Sequence, residues 1–166
     1  MTDGGPASAG AIRQDGVVLT GPSCEEFAIS RLVLWNIDLT LLDVGQVMRA
    51  AYAEAFEKVT GEPLVYLTSA AGRTDSEMFF EFCARNYVDL DPDTSVLGEF
   101  LDALEESFGE RSDELLSKGH VMPGAAASLA AVASMPDTIQ TVVSGSTRAN
   151  ATTKLVAFGL DAYFDL

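Results

Sequence analysis

Three polar side chains at alternating positions, Asn36, Asp38 and Thr40, follow directly on the apolar run Leu32-Val33-Leu34-Trp35. An apolar run of that kind reads as a buried strand. Polar groups leaving its carboxyl end stand where open parallel α/β sheets bind their ligands. Asp38 is a carboxylate, able to move a proton or to hold a cation. The Asn36 amide is neutral, and its oxygen is a poor nucleophile and a weak cation ligand. A second cluster, Ser144-Gly145-Ser146, ends the segment Ile139-Gln140-Thr141-Val142-Val143 and precedes a helix, so hydroxyl and backbone N–H groups there suit an oxyanion. Arg73, in Gly72-Arg73-Thr74-Asp75, places a guanidinium beside a helix N-terminus, and both favour negative charge. Each group also has an ordinary local role open to it: an Asx turn after Asn36, an N-cap at Ser144, a solvated loop arginine at 73.

The elements that must position these groups follow from periodicity. The first strand is expected over Leu32–Ile37. Met48, Ala51, Tyr52, Ala55, Phe56 and Val59 then repeat at helical spacing on one face, until Gly61 stops the helix and Pro63 prevents its resumption. Thr74-Asp75-Ser76-Glu77 has the form of a capping box opening a second helix, with Met78, Phe79, Phe82 and Cys83 inward. Asp93 can cap a third helix, whose stripe is Val96, Leu97, Phe100, Leu101, Leu104 and Phe108. Pro123-Gly124 opens a small-residue helix to Met135 with Leu129 and Val132 inward. A second strand runs from Ile139 to Ser144, and a helix from Thr147 to Phe158 closes at Gly159. Lys154 lies inside that helix and reads as a solvated lysine. At the other end, Met1 to Gly16 reads as a loose tail, with a short strand expected over Val17–Thr20.

Composition bounds the class. The chain has 166 residues, 48% of them apolar, with 25 acidic residues against 10 basic ones and a net charge of −15. It is long enough to bury a real core and reads as soluble and globular. The acidic surface disfavours nucleic acid and anionic membranes, and it repels phosphate esters unless a cation intervenes. Cys24 and Cys83 have no metal-like spacing and suit a reducing, cytoplasmic setting, and the single His120 excludes a histidine-rich metal site. No signal-peptide pattern and no membrane-spanning run is present.

The run ending in Asn36-Ile37-Asp38-Leu39-Thr40-Leu41, the helical stretch behind it, Gly72-Arg73-Thr74-Asp75 and the strand ending in Ser144-Gly145-Ser146 resemble, in that order, the phosphoglycolate-phosphatase-like branch of the haloacid-dehalogenase-like phosphohydrolases. The resemblance implies a Rossmann-like α/β core with an incomplete parallel sheet over 31–44 and 119–166. It implies an α-helical cap over 45–118, and leaves 1–30 as a flexible extension. The family's first motif is Asp-x-Asp-Gly-Thr-Leu, so Asn36 stands at the nucleophile and metal position, Asp38 at the acid/base and metal position, and Leu39 where the family has Gly. Thr40, Ser144, Gly145, Ser146 and Arg73 are the implied phosphate contacts, and Mg²⁺ is the implied cofactor. The resemblance runs from about Arg31 to Leu166 and covers the first two of four motifs.

Two functions from different classes follow. One is a phosphatase homologue impaired at Asn36, acting as an anion-binding or regulatory protein. The other is an Mg²⁺-dependent hydrolase of small phosphate esters, with Asp38 as acid/base, completed by an oligomer or another chain. With no fourth or fifth strand in the sequence, the first strand is expected to present an open apolar edge. Val17–Thr20, a second copy of the chain or a different protein could cover it, and a homodimer or a complex with another protein is expected.

Overall fold

The computed structural model of the chain describes residues 31–89 and 95–164. The segment Val17–Thr20, Cys24 and Asp93 lie outside these residues. Strand β1 (Arg31–Trp35) pairs in parallel with β4 (Thr138–Val142), Leu32 opposite Ile139 and Trp35 opposite Val142. Trp35 and Gln140 share one face of the pair. The Trp35 indole donates to Gln140 Oε1 at 3.0 Å, and Gln140 Nε2 donates to the Leu129 carbonyl at 3.2 Å. Leu129 lies on α5 (Ala125–Ala133), so one polar chain fixes both strands against one helix. On the other face Leu32, Leu34, Ile139 and Val143 are exposed. Among the described residues no strand pairs with the free edge of β1.

The helices that follow β1 form as their stripes require. In α1 (Gly45–Thr60) Val47, Met48, Ala51, Tyr52, Ala55 and Phe56 are buried, and Gly61 ends the helix in the left-handed region at φ 74°. The Thr74 capping box opens α2 (Asp75–Arg85) with both reciprocal bonds present, a motif whose N-cap alone is worth about 1 kcal/mol. Phe56, Phe79, Phe82 and Phe100 meet in edge-on and stacked pairs. The third stripe occupies α3 (Ser95–Glu110), with Phe100, Leu104 and Phe108 buried. The structure adds a break. Arg111 Nη1 donates back to Ser107 O at 2.9 Å and Oγ at 2.7 Å, ending α3, and the chain restarts as α4 (Ser112–Lys118). Burial pushes the Cys83 thiol up to about 11, which makes it an inert core residue.

Strands β2 (Leu42–Asp43) and β3 (His120–Val121) pair antiparallel, so the chain enters and leaves the helical segment side by side. A second apolar cluster gathers Ile37, Leu41, Leu42, Ala125, Leu129, Ala151, Leu155 and Leu160 beneath the sheet, the last three from α6 (Arg148–Ala157) and its exit. No helix among the described residues is long and apolar enough to cross a membrane.

The turn leaving β1 carries one anomaly. Leu39 stands at φ 59°, in the left-handed region, with its side chain 60% exposed. The backbone that Gly would adopt without cost is therefore kept by a residue with a Cβ, at about 1–2 kcal/mol. Leu39→Gly removes that strain without emptying the core, and its greater unfolded-state freedom returns only part of the gain. Urea unfolding is expected to show Leu39→Gly more stable by about 0.5–1 kcal/mol, and Leu39→Val less stable than wild type. A Leu39→Gly midpoint below wild type at an unchanged m-value would show that the turn stores no strain.

Candidate functional site

Backbone groups fold the turn after β1. The Ile37 carbonyl accepts the N–H groups of Thr40, Leu41 and Leu42 at 3.2, 2.8 and 3.1 Å, and Leu39 N–H donates to the Leu42 carbonyl at 2.7 Å. Asn36 spans this turn, its Nδ2 donating to the Asp38 carbonyl at 2.7 Å and to Thr40 Oγ1 at 3.2 Å. A carbonyl can only accept, so it is the amide nitrogen that faces Asp38. A carboxylate at 36 would set oxygen against oxygen there. The three sequence-expected groups thus share one turn, and the amide at 36 is a brace for it.

Asp38 turns its carboxylate toward α6. Both of its oxygens accept from Lys154 Nζ at 2.8 Å, and the same ammonium donates to Ser146 Oγ at 2.9 Å. Lys154 is 1% exposed whereas the Asp38 side chain is 44% exposed, so the anion reaches water and the cation does not. The Phe108 ring lies 5.8 Å from Nζ and adds a cation–π contact. This overturns the expectation that Lys154 is a solvated helix lysine. The signal was in the helix: Asn150, Ala151, Lys154 and Leu155 form its buried stripe, and position 154 shares a face with Ala151 and Leu155. The stem is covered with the other members of that stripe, and the three donors of the head find three acceptors.

The Ser144–Ser146 loop is held from two sides. Ser144 Oγ accepts the Ser146 N–H at 3.1 Å. A Cβ added at Gly145 would lie 2.1 Å from the Arg73 carbonyl oxygen, so only Gly lets the 72–75 loop approach this closely. Asp75 closes the contact. Its N–H donates to the Gly145 carbonyl at 2.8 Å, its Oδ2 accepts the Thr147 N–H at 3.0 Å, and its Oδ1 accepts the Tyr52 hydroxyl at 2.6 Å. Burial pushes the Asp75 carboxyl above its ordinary range, opposed by the bonds from Tyr52 and Thr147 and by the charge of Lys154. Burial, reinforced by the charge of Asp75, likewise holds the Tyr52 hydroxyl far above its usual range. Asp75 was not legible as a site residue. At the first turn of α2 a carboxylate is ordinary, and nothing local in the sequence points to Thr147. Arg73 brings its backbone to this loop, while its guanidinium pairs with Glu81 at 3.4 Å.

An open cleft of about 250 Å³ runs beside the loop, lined by Ser144, Ser146, Arg148 and Thr152 among others. Hydroxyls and a guanidinium at a helix N-terminus suit an anion. The donor set does not suit Mg²⁺, which takes six oxygens in near-octahedral array and commonly one or two carboxylates. Here both Asp38 oxygens carry an ammonium, Asn36 turns its nitrogen inward, and no cluster of three His, Cys, Asp or Glu exists among the described residues.

A crystal structure provisionally assigned as a phosphoglycolate phosphatase from Haemophilus somnus superposes with a TM-score of 0.59 at 19% identity, over 81% of this chain and 60% of that one. A protein from Lactobacillus plantarum given the same provisional assignment matches at 0.49 and 12% identity, over 82% of this chain and 58% of that one. A protein assigned as a β-phosphoglucomutase from Thermotoga maritima matches at 0.46 and 20% identity, over 81% of this chain and 59% of that one. No family model matches the sequence, and no curated protein matches it. The chain shares the fold of the Haemophilus structure: an α/β Rossmann-like core with a parallel strand pair and an inserted helical segment. It spans about 60% of the length of the Haemophilus structure.

Removing the Asp75 carboxylate leaves the Tyr52 hydroxyl and the Thr147 N–H without an acceptor. Asp75→Ala is expected to lower the unfolding free energy by about 2–3 kcal/mol in chemical denaturation, and Tyr52→Phe by about 1 kcal/mol. Equal stability of Asp75→Ala and wild type would show that the 72–75 loop is held by packing alone.

Proposed function

We propose that this chain is a haloacid-dehalogenase-like phosphatase homologue that does not itself transfer phosphoryl groups, and that it works as an anion-binding, regulatory protein. One observation carries the proposal: at the nucleophile position an amide nitrogen donates to the Asp38 carbonyl at 2.7 Å. Attack on phosphorus needs an anionic oxygen aimed outward. Asn36 has no charge to offer, and it is committed to holding the turn. Asp38 could serve as an acid or base only after releasing Lys154. The groove beside Ser144, Ser146 and Arg148 supports retention of an anion, against the general repulsion of a surface carrying −15.

An interaction role is supported by the sheet. Leu32, Leu34, Ile139 and Val143 expose 46–61% of their surface along one face, beside a β1 edge that pairs with no strand among the described residues. Such edges recruit further strands. We propose a homodimer or a protein partner there, and light scattering on a size-exclusion column is expected to give a mass above that of the monomer.

The catalytic proposal is tested with an aryl phosphate and Mg²⁺ on wild type, Asn36→Asp and Asp38→Ala. Wild type is expected to show no turnover above Asp38→Ala. Wild-type turnover that vanishes in Asp38→Ala would overturn the proposal.

A further inference from the structure

The disagreement between this donor set and a divalent cation has a positive counterpart in Lys154. We propose that the Lys154 ammonium, and no divalent ion, is the resident cation at the Asp38 carboxylate, so that the 36–40 turn, the 144–147 loop and α6 are joined without metal. This goes beyond the lost nucleophile, since a chain with Asn36 could still have kept a metal on Asp38.

Three observations converge on it. Nζ touches both oxygens of Asp38 at the same 2.8 Å, so the whole carboxylate faces the ammonium. Its third proton goes to Ser146 Oγ at 2.9 Å, so the ammonium bridges the first turn to the oxyanion-type loop. Lys154 is 1% exposed and has Phe108 on its other side at 5.8 Å, so its charge is not shared with water and needs Asp38. A divalent ion arriving at Asp38 would have to occupy oxygens already bound to a positive charge that cannot leave for solvent.

The burial asymmetry sets the test. Asp38 is 44% exposed and can be rehydrated without Lys154, whereas Lys154 without Asp38 is a stranded buried charge. Thermal unfolding of Asp38→Asn is therefore expected to fall by roughly 10 °C from wild type. Lys154→Met should fall less, and adding Lys154→Met to Asp38→Asn should recover most of the loss. Saturating Mg²⁺ or Mn²⁺ is expected to leave the Tm of wild type unchanged and to produce no Mn²⁺-induced relaxation at the site. A cation held at a hundred times its Kd would instead raise Tm by roughly 5–10 °C. A rise of that size in wild type, lost in Asp38→Asn, would overturn the proposal. So would additive losses from Asp38→Asn and Lys154→Met.

Discussion

A buried ammonium group constrains everything that surrounds it, because each of its three protons needs an acceptor in a place water does not reach. Lys154 draws its acceptors from two loops that are far apart in the chain: Asp38 lies 116 residues away and Ser146 eight. The turn after β1 must therefore present its carboxylate downward, and the loop before α6 must hold the Ser146 hydroxyl inward. Helix α3 must bring Phe108 over the same head group. Beside this, Asp75 fastens the 72–75 loop to Gly145 and Thr147 with two bonds and to Tyr52 with a third. One polar knot thus joins strand, loop and helices at the carboxyl end of the parallel strand pair.

The first turn is held by backbone bonds and one side-chain brace. Its backbone bonds and its left-handed residue are in place, although Leu39 adopts at a cost the conformation that Gly takes freely. Asn36 has gained a structural use: an amide bonds the Asp38 carbonyl, which a carboxylate cannot. A carboxylate at 36 would thus disturb the turn.

Local order was legible in the residues, and long-range polar partnership was not. The stripes of α1, α2 and α3, the Thr74 capping box and the Gly61 stop are short-range patterns of spacing and capping, and the structure forms each of them. The order of strand, helical segment and second strand likewise pointed to the α/β class. Lys154 was misjudged because a lysine's residue type outweighed its place on a buried face. Asp75 was hidden because an acidic first-turn residue already has a sufficient local explanation. The break at Arg111 depends on a side chain folding back on Ser107, which periodicity does not register.

The small antiparallel ribbon of Leu42–Asp43 with His120–Val121 bears on the order of assembly. The parallel pair it stands beside joins residues such as Trp35 and Gln140, which are 105 positions apart, so direct pairing must close a long loop before it is rewarded. Helices between them form from neighbours and can collapse first. Once the ribbon zips, the whole helical excursion is pinched at its neck and the separation of the two strands shrinks to residues 36–41 and 122–137 outside it. The two-residue clasp makes the late, nonlocal step of folding a short one.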